Sequence, residues 1–282
     1  MNSDEDLHLA HHMAGLAAKI SLRYLNLGDL RPQNKQDGSP VTSADHRIER
    51  ELRALIDRMR PQDAFTGEEF GTSGGGPRRW FVDAIDGTRS YLAGTPEWGT
   101  LIGLTHEGSA GLGLVCAPVL QRRWWAVSGH GAWTCGPPGV PHRVSVTGQN
   151  RLCRASVGIW PPPQRMPEGH CRTAAARIAA QAANTLPALD PTGRASTVSD
   201  PPKPSTGSGT CHGGLLVATG QLDAFLLVGG GPWDVAPLVP IVREAGGAFT
   251  DLDGRDRFDT GTALFSNARI HDELLDAVRT AT

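Results

Sequence analysis

The sequence predicts an α+β protein, on three observations. Its N-terminal part carries two segments that are apolar at helical spacing, residues 7–27 and 43–59. Its middle is a series of short apolar runs separated by turn residues, and its last third alternates helical with strand-like segments.

Taken in order, 7–27 is an opening helix. Residues 43–59 form a second, with Ser43 and His46 at its start and Ile48, Leu52, Leu55 and Ile56 on its apolar face. Residues 80–82, 99–105, 111–117 and 123–127 read as strands of a mainly antiparallel sheet, closed by turns around Gly136-Pro137-Pro138-Gly139. A strand at 155–159 opens a second set, followed by an alanine-rich helix at 173–183. Then come helix 215–220, strand 224–228, helix 235–245 and a terminal helix at 271–279. Residues 190–209 are full of breakers and lack periodicity, so they read as a lid or specificity loop, or as an inert excursion.

Twenty-seven basic against 29 acidic residues give a net charge of −2, which recommends no nucleic-acid surface. No apolar run has the length of a membrane span, and Met1 to Asp6 is polar and acidic rather than signal-like. Five cysteines without metal-type spacing read as reduced thiols, and the expectation is a cytoplasmic protein with no membrane partner.

The chemistry concentrates in Trp80-Phe81-Val82-Asp83-Ala84-Ile85-Asp86-Gly87-Thr88. An apolar strand ends in two carboxylates three residues apart, and Gly-Thr follows. Oxygen-only ligands suit a hard cation such as Mg²⁺, and a helix starting after Gly87-Thr88 would aim free N–H groups at a phosphate. Gly67-Glu68-Glu69-Phe70-Gly71 places paired acids in a glycine-flanked bend. Asp234, after Gly229-Gly230-Gly231-Pro232-Trp233, stands at the start of a buried helix with Pro237 in its first turn. Read alone, Asp86-Gly87 is ordinary turn chemistry. Read with Asp83, Glu68 and Asp234, it is a ligand position in a site for two or three Mg²⁺ ions, with Mn²⁺ an alternative.

Glu68-Glu69, Asp83-Ala84-Ile85-Asp86-Gly87-Thr88, and Trp233-Asp234 with Glu244-Ala245-Gly246-Gly247 resemble the motifs of the inositol monophosphatase superfamily, Mg²⁺-dependent, lithium-sensitive phosphatases. The likeness runs from about Pro40 to Gly254. It implies a layered α-β-α-β-α sandwich of the inositol monophosphatase/fructose-1,6-bisphosphatase type. Residues 1–150 would carry most metal ligands, and 151–282 would carry Asp234 and a substrate-side loop. It implies that Glu68, Asp83 and the Ile85 carbonyl hold one metal, and that Asp83, Asp86 and Asp234 hold another. Asp45 lies by a third site, Gly87 and Thr88 bind phosphate, and Glu68 and Thr88 orient the attacking water. A homodimer is the family's usual assembly.

Around Gly94-Thr95-Pro96-Glu97-Trp98-Gly99 and Trp233-Asp234-Val235-Ala236-Pro237, the chain resembles the histidinol-phosphatase branch. Leu227 stands where that branch and its inositol counterpart carry a substrate-binding Glu. The expected partner is a small phosphorylated metabolite, histidinol phosphate first. A nucleotide, sugar or aminocyclitol phosphate, and a catalytically silent scaffold, are the alternatives. Glu97, Ser208 and Leu227 are the candidate substrate-side positions.

Overall fold

The computed structural model describes residues 3–36, 38–186 and 211–279. In chain order its elements are α1 (Ser3–Leu27), β1 (Gln33–Asn34), β2 (Pro40–Val41), α2 (Ser43–Met59), β3 (Ala64–Gly67), β4 (Gly71–Ser73), β5 (Arg78–Asp86), α3 (Thr88–Leu92), β6 (Gly99–His106), β7 (Ser109–Ala117), β8 (Arg122–Val127), β9 (Ala132–Cys135) and β10 (His142–Arg143). After these come β11 (Ser156–Trp160), α4 (His170–Gln181), β12 (Asn184–Leu186), α5 (Cys211–Ala218), β13 (Ala224–Val228), α6 (Pro232–Val235), α7 (Leu238–Glu244), β14 (Ala248–Thr250), β15 (Thr262–Ser266) and α8 (His271–Arg279). Among the described residues, no helix is long and apolar enough to cross a membrane. The chain forms two compact units. Of the described residues, 3–36, 38–143, 211–212 and 233–241 belong to the first, while 144–186, 213–232 and 242–279 belong to the second. Asp234, assigned by sequence order to the C-terminal half, therefore folds with the first unit.

The first unit is built on an eight-stranded sheet of order β10-β9-β8-β7-β6-β5-β3-β4, antiparallel except for β3 alongside β5. Alternation along the strands gives each face its own set of side chains. Trp80, Val82, Ile102, Leu104, Leu112 and Leu114 turn to one face and share a core with Met13 of α1 and Ile48 and Leu52 of α2. The N-cap of α2 is Thr42 rather than Ser43. Its hydroxyl accepts the N–H groups of Ala44 and Asp45, and Asp45 accepts the Thr42 N–H in return, a capping box. Where β5 begins, the Arg78 guanidinium donates to Asp6 at 2.7 Å and Asp63 at 2.9 Å. Trp80 Nε1 also donates to Asp63, at 2.9 Å. That ion network ties the start of α1 to the sheet.

On the other face, Gly103 of β6 lies directly across from Gly113 of β7. With no side chains at either position, the backbone of Pro237 settles onto the pair. The helix expected over 235–245 is interrupted at this point. Pro237 has no N–H and crowds the preceding turn, so α6 stops at Val235 and α7 resumes at Leu238.

The second unit holds a five-stranded sheet of order β12-β11-β13-β15-β14, with β11 parallel to both its neighbours and β15 antiparallel to both of its own. Val157, Ile159, Ala224, Leu226 and Leu264 face α4 and α8, packing against Ala174, Ile178 and Leu274. Gly213 of α5 lies against the ring of Phe225, whose side chain turns to the opposite face.

A Cβ at Gly113 would overlap the Pro237 carbonyl oxygen, whereas one at Gly103 would stand 3.0 Å from the Pro237 nitrogen. Gly113→Ala is expected to cost about 1–3 kcal/mol, as overpacking does, and Gly103→Ala less. Urea unfolding midpoints of the two variants measure the order.

Candidate active site

The sheet register explains how two acids three residues apart reach one place. In a regular strand Asp83 and Asp86 would point to opposite faces. Along β5, however, Asp83 pairs with Leu101 and Asp86 with Gly99, so three steps on β5 match two on β6. This one-residue bulge reverses the alternation. Ala84 and Ile85 both join the core under α1 and α2, which leaves Asp83 and Asp86 on the opposite face. That is also the face on which Pro237 is seated, three residues after Asp234.

Carboxylate oxygens of Asp83, Asp86 and Asp234 lie within 4.8 Å of one another. The three residues are only 2%, 4% and 9% exposed. Asp83 Oδ1 is buried and accepts no hydrogen bond. Its carboxyl is pushed well above the usual carboxylate range, first by burial and then by the charges of Glu68, Asp86, Asp234 and Asp45. A buried all-oxygen group with an unpartnered lone pair and mutual repulsion has the donor chemistry of a hard divalent cation site. The cluster could hold a metal ion.

Glu68, Glu69 and Phe70 form the turn that closes the β3–β4 hairpin, whose last pair is Gly67 with Gly71. Glu68 lies outside the three-carboxylate cluster, although its charge is the leading one acting on Asp83. Its Oε1 takes a hydrogen bond from Lys35 Nζ at 2.6 Å, and Glu69 Oε1 is 2.6 Å from the same nitrogen. Burial pulls Lys35 down, but those two carboxylates outweigh it and hold the ammonium above its ordinary range. Asp45, in the first turn of α2, is raised to about 6 by burial, against the hydrogen bonds from Thr42 that lower it. Glu69, raised to about 7 chiefly by burial, is more enclosed than Glu68.

Gly87, at φ 84°, makes the left-handed turn that caps α3. The Thr88 hydroxyl donates to the Ile85 carbonyl at 3.1 Å, bringing together two of the residues singled out in the sequence. Glu97 is half-buried in the approach to β6. Leu227 is 1% exposed in β13 of the second unit, so it packs in a core and offers no surface to a ligand. Ser208 and the loop at 190–209 lie outside the described residues.

Two contacts at this site escape sequence reasoning. Lys35 belongs to the β1–β2 hairpin, which has no hydrophobic pattern to reveal it. Glu49 of α2 is fully buried and accepts the N–H groups of Glu69 and Phe70. An acid directly beside Ile48 on the inward side of an amphipathic helix was its one legible sign.

The chain matches the inositol monophosphatase family over residues 4–282. It is 37% identical to a histidinol-phosphatase of Streptomyces coelicolor over 278 residues, covering 96% of each chain. It is 36% identical to a histidinol-phosphatase of Mycobacterium tuberculosis, covering 97% of each. Among solved structures, an inositol monophosphatase from Zymomonas mobilis superposes with a TM-score of 0.76 at 25% identity, covering 99% of this chain and all of that one. With a family match along nearly its whole length and the fold of a solved member, this chain belongs to the inositol monophosphatase family.

Proposed function

We propose that this phosphomonoester hydrolase acts on a small metabolite, histidinol phosphate first, and uses Mg²⁺ bound at the buried carboxylates. The observation that carries the metal reading is the trio Asp83, Asp86 and Asp234 with the unpartnered Asp83 Oδ1. Glu68, Asp83 and the Ile85 carbonyl are assigned to one ion, and Asp83, Asp86 and Asp234 to another, with Asp45 near a third. When bound, the ions supply the positive charge that acidifies a water and stabilises the departing alkoxide.

The chain's own groups do the rest. The N–H groups of Gly87 and Thr88, at the turn into α3, are donors for phosphate oxygens. The Thr88 hydroxyl, with its hydrogen given to the Ile85 carbonyl, keeps lone pairs with which to accept a hydrogen bond from the attacking water and orient it. Glu68, a carboxylate with 27% of its side chain exposed, is the second acceptor. The substrate assignment is supported by the two histidinol-phosphatases at 36–37% identity over nearly full length. We assign the chain to a homodimer, the usual assembly of the family it resembles.

Phosphate release from histidinol phosphate, inositol 1-phosphate, fructose 1,6-bisphosphate and nucleoside monophosphates tests the substrate. The expected result is a strong preference for histidinol phosphate, and a preference for another ester would reassign the pathway. Asp86→Asn should lower kcat at least about 10²-fold, the scale of losing one charge-stabilising group, with unchanged far-UV circular dichroism.

The pKa shifts give a further test. Asp45, at about 6, and Glu69, at about 7, are raised above their unfolded values, as is Asp83. These three groups therefore bind more protons in the folded protein than in the unfolded chain between about pH 4 and 7, and their contribution falls as pH rises through that window, while His11 and His271, lowered by burial, act in the opposite direction. Saturating Mg²⁺ should raise the Tm over its value in chelator more near pH 7.5 than near pH 5, because the ion binds the ionised carboxylates of the native state.

A further inference from the structure

Glu49 reaches the site without belonging to it. Its carboxylate is 0% exposed, and its two oxygens divide the work of holding the Glu68 turn. Oε2 accepts the Glu69 N–H at 2.7 Å, and Oε1 accepts the Phe70 N–H at 3.0 Å. On the other side of Glu68, a Cβ at Gly67 would overlap the same carboxylate, so Glu49 fills the hollow that this glycine leaves. Both neighbours of Glu68 are thus fixed by one buried side chain from α2.

The clamp has a second jaw. Arg53, one helical turn further along α2, donates from Nη2 to Glu49 Oε1 at 3.1 Å and to the Gly71 carbonyl at 2.8 Å. Its guanidinium lies over the Phe65 ring, 4.8 Å from the centroid. Gly67 and Gly71 are the closing pair of the hairpin, so Glu49 and Arg53 grip the turn at its base and at its amides. Asp45, Glu49 and Arg53 follow at intervals of four and share one side of α2. One rigid helix therefore carries an acid of the site and the anchor of the turn that presents another.

The choice of an acid is informative. A buried carboxylate needs a cation beside it, and Arg53 is that cation, where a neutral Gln would need none. Only a carboxylate offers two acceptor oxygens, however, and both are in use. A Gln would keep one acceptor and turn an NH₂ group toward a backbone donor, leaving a buried N–H without a partner.

We propose that Glu49, locked by Arg53, is a positioning residue that sets the Glu68 carboxylate for metal capture. This rests on the assignment of Glu68 as a metal ligand. Outer residues that orient ligands typically change metal affinity about 10–100-fold when altered.

The test is calorimetric titration of the purified full chain with Mg²⁺ alone, for the wild type, Glu49→Gln and Arg53→Lys, together with amide hydrogen exchange at Glu69 and Phe70. Glu49→Gln is expected to weaken Mg²⁺ binding at least about tenfold and to speed exchange at one or both amides about tenfold. The Mg²⁺ concentration for half-maximal activity should rise in parallel, with kcat at saturating Mg²⁺ within about threefold of the wild type. Arg53→Lys, which keeps the charge at a side chain 17% exposed and loses the fork, should show the same pattern more weakly and guards against a misfolded Gln variant. Unchanged Mg²⁺ affinity in both variants, beside a wild type that binds Mg²⁺, would overturn the role of Glu49. A wild type that takes up no Mg²⁺ would overturn instead the metal reading beneath it.

Discussion

Mutual repulsion among acids is the constraint on which the first unit turns. Asp83, Asp86 and Asp234 are held within 4.8 Å, with Glu68 and Asp45 close enough to act on Asp83. Left to itself, such a group would separate or be hydrated. It stays together because each member is fixed by something unable to relax: a bulged strand, a capped helix, a clamped hairpin and a backbone seated on two glycines. The start of β5 shows the opposite treatment of charge. There Arg78 is set between Asp6 and Asp63, and each acid meets a guanidinium donor. One strand thus runs from a neutralised ion network to a crowd of acids that could hold a metal ion, which would supply at the far end what Arg78 supplies at the near end.

Much of this was legible in the chain. The helices 43–59 and 271–279 and the strand 224–228 end where periodicity and caps put them. The all-oxygen character of the site followed from residue types alone. What could not be read was parity. Asp83 and Asp86, three apart, belong on opposite faces of an ideal strand, and only pairing with β6 reveals the bulge that unites them. Pairing is a non-local fact. The same reason hides β3 and β4, four and three residues long, since neither has enough sequence to show an alternation. The break at Pro237 was misjudged for a different reason. A proline is tolerated in a first turn, but here the chain bends to lie on Gly103 and Gly113, and nothing near Pro237 announces glycines more than a hundred residues earlier.

Function was legible to a different depth at each level. Reaction class rests on side-chain chemistry and was accessible early. Substrate choice rests on groups that meet the leaving alcohol. Of the three such positions considered, Leu227 is buried, Glu97 is half-buried, and Ser208 lies outside the described residues. The case for histidinol phosphate therefore stands on kinship more than on any contact. The case for hydrolysis stands on the carboxylates themselves.

The seating of Pro237 also bears on how the chain is made. Asp234 and the segment through Ile241 complete the first unit, yet the larger part of the second unit is encoded ahead of them. On the ribosome the eight-stranded sheet can be fully synthesised while its glycine seat is still bare and the third carboxylate is still inside the tunnel. The trio of Asp83, Asp86 and Asp234 cannot assemble until almost the entire polypeptide has been made. Translation order therefore acts as a timer for this cluster, which no truncated product that stops short of residue 234 can complete.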